Sequence, residues 1–227
     1  MKILTNLQHS ILRAACEIPD RDHFYLAGGT ALSAFYLEHR ASHDIDMFTG
    51  VAELVGPFSH GLQAALVRAG YTTARTRGYD TFVELTVSRS EEGTVVHLAQ
   101  ESPFLLEPPV PATEFPGLMV GSLPDIAAGK LLALFGRAMV RDFIDVYFLT
   151  KERFTVQQLC DFAARKDPGF DQYWLGVAME RIETFPDDSP DLHMMVKPCA
   201  MADMRAFFKE WRASIAASLA GDPPPSG

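Results

Sequence analysis

The sequence predicts an α+β fold: a mixed sheet with packed helices over residues 1–117, then a helical domain over 118–220. Three observations predict it. Short runs in the first half alternate apolar and polar residues, most clearly DTFVELTV at 80–87 and TVVHLA at 94–99. Segments with apolar residues at helical spacing stand among those runs. No strand signal of comparable strength occurs after residue 120.

In order, residues 3–18 carry Ile3, Leu4, Leu7, Ile11, Leu12 and Ala15 close to helical spacing, and Pro19-Asp20 ends that helix. A strand at 23–27 leads to a helix from about 30 to 39, and a second strand spans 43–48. A helix near 59–69 precedes two or three strands at roughly 71–76, 80–87 and 94–99. The proline-rich stretch 102–117 reads as an extended connector. Ser122 is a helix N-cap candidate with Pro124 in the first turn and Asp125 three residues on. Helical patterns follow at 122–149, 155–166, 170–182 and 200–219, and the tail 221–227, GDPPPSG, is expected to be disordered.

At 227 residues with 48% hydrophobic and 22% charged content, the chain can bury its own core without disulfides. Three separated cysteines, Cys16, Cys160 and Cys199, fit a reducing cytoplasm and show no zinc-ligand spacing. No apolar run is long enough to span a bilayer, so no membrane partner is expected. A net charge of −9 argues against broad, non-specific nucleic-acid binding. Arg68, Arg75, Arg77 and Arg89 around the middle strands leave room for a local basic patch or for scattered solvated charges.

The chemistry concentrates in residues 28–46. Asp44 and Asp46 flank Ile45 in a strand-like stretch, which places both carboxylates on one face and Ile45 and Met47 on the other. Two such charges repel by ~4 kcal/mol at an effective dielectric near 20, and a divalent metal is the usual relief. Upstream, Gly28, Gly29 and Thr30 follow the apolar run FYLA and open a helix, a place where backbone N–H groups meet phosphate. A phosphate cradle beside metal-binding carboxylates is the equipment of phosphoryl transfer. Arg40 and Ser42 either bind phosphate or cap and pair locally.

A second constellation is Lys130, Arg137, Arg141, Asp142 and Asp145. On one continuous helix, positions 130, 134, 137, 141 and 145 fall within about 60° of one another, forming a charged stripe among apolar flanks. Such a stripe faces solvent or a polar cleft. Arg141 and Asp145 are spaced to pair at i,i+4. In the functional reading Lys130 reaches a nucleotide phosphate, Asp142 or Asp145 orients an arginine or the acceptor group, and Arg137 and Arg141 are substrate-binding cations.

The run GGTALSAFYLEHRASHDIDMF resembles the signature of the DNA polymerase beta-like nucleotidyltransferases. Together with KLLALFGRAMVRDFIDVYFL it is similar to the AbiEii/AbiGii toxin family of type IV-like toxin–antitoxin systems, to which the MenT toxins are related. The similarity covers about residues 20–150. It implies a minimal nucleotidyltransferase sheet with a helical C-terminal domain. It further implies Mg²⁺ (or Mn²⁺) on Asp44 and Asp46, triphosphate near Gly28, Gly29, Thr30 and Ser42, and a supporting role for Lys130 and Asp145.

One departure stands out. The superfamily places a third carboxylate on a later strand, and the corresponding position here is His97. Either Glu84 substitutes, or His97 ligates the metal or acts as a base, or the third position is dispensable.

The expected function is transfer of a nucleoside monophosphate from a nucleoside triphosphate to an acceptor hydroxyl. By resemblance the acceptor is a tRNA or a protein, and a cognate antitoxin is an expected partner. The rivals are an aminoglycoside-type small-molecule nucleotidyltransferase and a non-catalytic nucleotide- or partner-binding module.

Overall fold

The computed structural model describes residues 3–221. Contacts divide the chain into two units, Met1–Ile126 and Ala127–Gly227.

The first unit is built on a seven-stranded mixed sheet in the order β3-β4-β5-β2-β1-β7-β6. Its strands are β1 (Tyr25–Ala27), β2 (Ile45–Thr49), β3 (Thr72–Tyr79), β4 (Phe82–Arg89), β5 (Glu92–Gln100), β6 (Val110–Pro111) and β7 (Met119–Val120). The helices are α1 (Asn6–Ala15), α2 (Gly28–Leu32), which continues as a π-helical turn over Ser33–Leu37, and α3 (Val55–Arg68). Strand alternation sorts the side chains by polarity. Ile45 and Met47, Val83, Leu85 and Val87, and Val96 and Leu98 are all buried on one face. Burial of each such side chain is worth roughly 1.5–3 kcal/mol. Helix α1 contributes Leu7, Ile11 and Leu12, and α3 contributes Phe58, Leu62 and Leu66, to this core. Phe58 stacks on Phe24 at 4.0 Å between ring centroids. The opposite face of the same strands is left to Asp46, His97 and Glu84.

The sheet continues past the expected boundary at 117. β6 pairs antiparallel with β7, and β7 pairs parallel with β1, so the proline-rich stretch is partly drawn into the sheet. Pro111 is tolerated because β6 is an edge strand.

The second unit is helical: the remainder of α4 (Leu123–Gly136), then α5 (Val140–Glu152), α6 (Val156–Lys166), α7 (Gln172–Met179) and α8 (Met201–Gly221). Short 3₁₀ turns at Glu180–Thr184 and Pro190–Met194 connect the last two helices. Met204, Phe208 and Trp211 are core residues of α8. Phe143 of α5 meets Phe208 edge-on at 4.9 Å. The expected continuous helix over 122–149 is in fact two. Gly136 closes α4, Ala138 takes a left-handed φ of 46°, and the Asp142 carboxylate accepts the Met139 N–H at 3.1 Å to start α5. Glycine and a local cap outweigh the apolar periodicity here. The tail expected to be disordered begins at Gly221, the last residue of α8; the rest of it lies outside the described residues.

Candidate active site

β1 ends at Ala27, and Gly28 turns the chain into α2 with φ +67°. A left-handed conformation costs an L-residue roughly 1–2 kcal/mol, which favours glycine on backbone grounds alone. A closer reason lies across the strand pair. Ala27 faces Asp46 in the antiparallel β1–β2 register, and a Cβ added at Gly28 would lie 1.9 Å from Asp46 Oδ2. The Asp46 carboxylate therefore fills the space that glycine leaves. Gly29 is hemmed in similarly, its hypothetical Cβ lying 2.7 Å from Arg40 Nη2 and 2.9 Å from Ser42 Oγ. Thr30 Oγ1 donates to the Asp44 carbonyl. Gly28, Gly29, Thr30, Arg40, Ser42 and Asp46, with the backbone of Asp44, thus converge on one corner.

The N-cap of α2 is Ala27, which has no side-chain acceptor to offer the first N–H groups of the helix. Arg40 is buried and donates from Nη1 to the Ala41 carbonyl at 2.9 Å. The π-helical turn widens the end of the helix, and Glu38 then reverses the chain in a left-handed conformation ahead of Arg40 and Ser42.

Asp44 precedes β2 by one residue and its charge acts on His97, the neighbour of Asp46, while Ile45 and Met47 point into the core. Gln8 of α1 pins the approach to β2. Its Nε2 donates to the Ser42 carbonyl at 2.7 Å and the His43 carbonyl at 3.0 Å, while its Oε1 accepts the Thr5 N–H at 3.0 Å. Thr94 Oγ1 also donates to the His43 carbonyl. Sequence reasoning missed both residues. Gln8 is an ordinary polar position of an amphipathic helix, and nothing local announces a contact 34 residues away.

Across the polar face runs a row of paired residues. His97 is the register partner of Asp46 on one side and of Glu84 on the other, and Glu84 is the partner of Arg77. His97 Nδ1 lies 2.9 Å from Asp46 Oδ1, and Nε2 lies 3.5 Å from Glu84 Oε2. The hydrogen bond to Asp46 raises the His97 pKa, with the charges of Asp46, Asp44 and Glu84 adding to it and burial opposing. Thr76 Oγ1 donates to Glu84 Oε1 at 2.6 Å, and that bond holds the Glu84 carboxyl below its ordinary pKa. The imidazole stands between Glu84 and Asp46, so the two carboxylates do not meet directly. Among the described residues no cluster of three or more His, Cys, Asp or Glu side chains forms a metal cage.

The second constellation is organised differently from the expected stripe. Lys130 Nζ pairs with Asp145 Oδ2 at 2.8 Å, both side chains being almost fully buried. Arg137 forms a two-pronged pair with Asp142, Nε to Oδ2 and Nη2 to Oδ1, each at 2.9 Å, across the turn between α4 and α5. Arg141 is exposed on α5, and the partner that Asp145 finds is Lys130. The break separates Lys130 and Leu134 on α4 from Arg141 and Asp145 on α5, with Arg137 in the turn, so the expected continuous stripe does not form. The arginines of the middle strands are dispersed. Arg75 donates to Ser59 of α3 at 2.6 Å, Arg77 lies 3.9 Å from Glu84, and Arg89 sits over the Tyr71 ring.

The AbiEii nucleotidyl transferase toxin family (type IV toxin–antitoxin system) matches residues 10–225. The chain belongs to the AbiEii family. An uncharacterized protein of Aquifex aeolicus (strain VF5) is 26% identical over 213 residues, spanning 92% of this chain and 96% of the relative. MenT4, a nucleotidyltransferase toxin of Mycobacterium tuberculosis H37Rv, shares the fold with a TM-score of 0.56 at 16% identity, over 92% of this chain and 81% of MenT4. JHP933 from Helicobacter pylori does so with a TM-score of 0.54 at 16% identity, over 94% of this chain and 90% of that one. AbiEii membership marks the protein as a nucleotidyltransferase, and the seven-stranded mixed sheet of the first unit matches the fold of these relatives.

Proposed function

We propose that the protein transfers a nucleoside monophosphate from a nucleoside triphosphate to an acceptor hydroxyl on a tRNA or a protein, in the cytoplasm, as the toxin of a toxin–antitoxin pair. One observation carries this reading: the corner at Gly28 and Gly29, against which Asp46, Arg40 and Ser42 all pack. The left-handed φ of Gly28 and the Asp46 carboxylate beside it favour glycine there, and the result is a polar cradle at the start of a helix whose N-cap, Ala27, offers no side-chain acceptor. The donor set suits a hard divalent cation. Asp44 and Asp46 would supply oxygen ligands to Mg²⁺ or Mn²⁺, with the remaining ligands coming from substrate phosphates and water.

In this reading the first N–H groups of α2 donate to the triphosphate, and the buried Arg40 beneath Gly29 adds positive potential. A divalent ion held by Asp44 and Asp46 would offset phosphate charge when bound. The acceptor oxygen forms the new bond to the α-phosphorus as the α–β phosphoanhydride bond breaks and pyrophosphate leaves. The chain's part is to hold the reacting groups in line on a rigid strand–turn–helix element. Among the described residues no helix is long and apolar enough to cross a membrane.

The test is incubation of the purified protein with each α-labelled nucleoside triphosphate, Mg²⁺ or Mn²⁺, and separately total tRNA or cell protein. Label should move to one acceptor class and fail to move with Asp46→Ala. Transfer that survives Asp46→Ala, or no transfer with any triphosphate and acceptor, overturns the reading.

A further inference from the structure

We propose that Glu84 is a positioning residue for Asp46, acting through His97. This rests on the reading of Asp46 as a metal-binding carboxylate. Asp46 has two oxygens with different tasks: Oδ1 meets His97 at 2.9 Å, while Oδ2 points at the Gly28 corner, 1.9 Å from where a Cβ would stand. The His97 contact therefore selects which oxygen is presented to the cradle. An imidazole held on one nitrogen alone can still swing about its Cβ–Cγ bond. Glu84 removes that freedom by engaging Nε2 at 3.5 Å, and the Phe82 ring stacks on the imidazole with centroids 5.8 Å apart. Glu84 is itself anchored from β3 by Thr76 at 2.6 Å and by Arg77 at 3.9 Å. The four strands β3, β4, β5 and β2 thus pass orientation inward, from an exposed edge to the residue beside the glycine corner. Groups that hydrogen-bond a metal's ligands typically change metal affinity 10–100-fold when removed, and Glu84, one contact further out through His97, belongs at the low end of that range. Here the histidine orients Asp46, and the neighbouring strand supplies the acid that orients the histidine.

The experiment is a Mn²⁺ titration of the full chain by electron paramagnetic resonance, with no nucleotide, for wild type, Glu84→Gln, Glu84→Ala, His97→Ala, the Glu84→Ala/His97→Ala double variant and Asp46→Ala. Glu84→Ala is expected to raise the Mn²⁺ Kd about 10-fold with little change in thermal midpoint, and Glu84→Gln, which keeps the volume, should fall in between. In the His97→Ala background, Glu84→Ala should add nothing. An unchanged Kd in both Glu84 variants overturns the inference. So does an equal loss with and without His97, because that would report a through-space charge effect and not orientation. If Glu84→Ala fails to fold, Glu84→Gln alone and combined with His97→Ala decides by the same comparison. A wild type that takes up no Mn²⁺, or an Asp46→Ala protein that binds as tightly as wild type, sinks the metal reading itself and this inference with it.

Discussion

At the scale of single residues, the glycine corner is the most constrained point in the first unit. Gly28→Ala would force both a left-handed Cβ and a collision with Asp46. The expected outcome is a stability loss of at least about 1–2 kcal/mol and abolished nucleotide binding, read by thermal unfolding and by titration with a fluorescent nucleotide. Lys130 and Asp145 set a different constraint. Side-chain exposures of 9% and 0% take both charges out of water, so breaking this pair costs more than breaking a surface ion pair. Lys130→Met should therefore cost about 3–5 kcal/mol in urea unfolding, and Lys130→Met/Asp145→Leu should recover most of it. A double variant no more stable than the single one would contradict that account. Asp44, Asp46, Gly28 and Gly29 stand out in the sequence because chemistry and backbone freedom limit those positions to few residue types. Gln8 and Thr94 do not, because a polar residue in a helix or strand gives no sign of which distant carbonyl it will meet.

Among elements, α1 has a task that its amphipathic pattern hides. The capping box of Thr5 and Gln8 begins the helix, and the same Gln8 side chain holds the segment leading into β2. Gln8→Ala should lose about 1–3 kcal/mol and also weaken Mn²⁺ binding, since residues 42 and 43 lie just ahead of Asp44. Hydrogen exchange on β2 amides should rise in that variant, and unchanged protection there would remove α1 from the site's support. The break between α4 and α5 shows where periodicity misleads. Apolar spacing through the break suggests a single helix, yet Gly136 and the Asp142 cap end one and start another. The proline-rich stretch misleads in the other direction, because a two-residue edge strand needs almost no pattern of its own when β7 supplies the ladder.

For the whole molecule, pH and ligand responses follow from burial. Burial pushes the Cys160 and Cys199 thiols up to about 11. Thiolate should be scarce at pH 8, and reaction with a disulfide reagent roughly 100-fold slower than for an ordinary thiol until the chain is denatured. The sign for stability follows from the unfolded chain releasing these protons first. The contribution is intact below about pH 9 and is lost as pH climbs toward about 11. A saturating divalent cation should raise the thermal midpoint of wild type and leave Asp46→Ala unmoved, since only the folded site binds it. By itself the sequence determined the α+β class, the order of most helices and strands, and the acidic and glycine positions of the first unit. Local patterning and backbone chemistry are enough for these, because each is written within a few neighbouring residues. Only the tertiary structure decided that Glu84 meets Asp46 through His97, that Lys130 takes Asp145, and that Gln8 steadies the approach to β2. Those pairings depend on strand register and on side chains brought together from distant parts of the chain, and no local pattern encodes either.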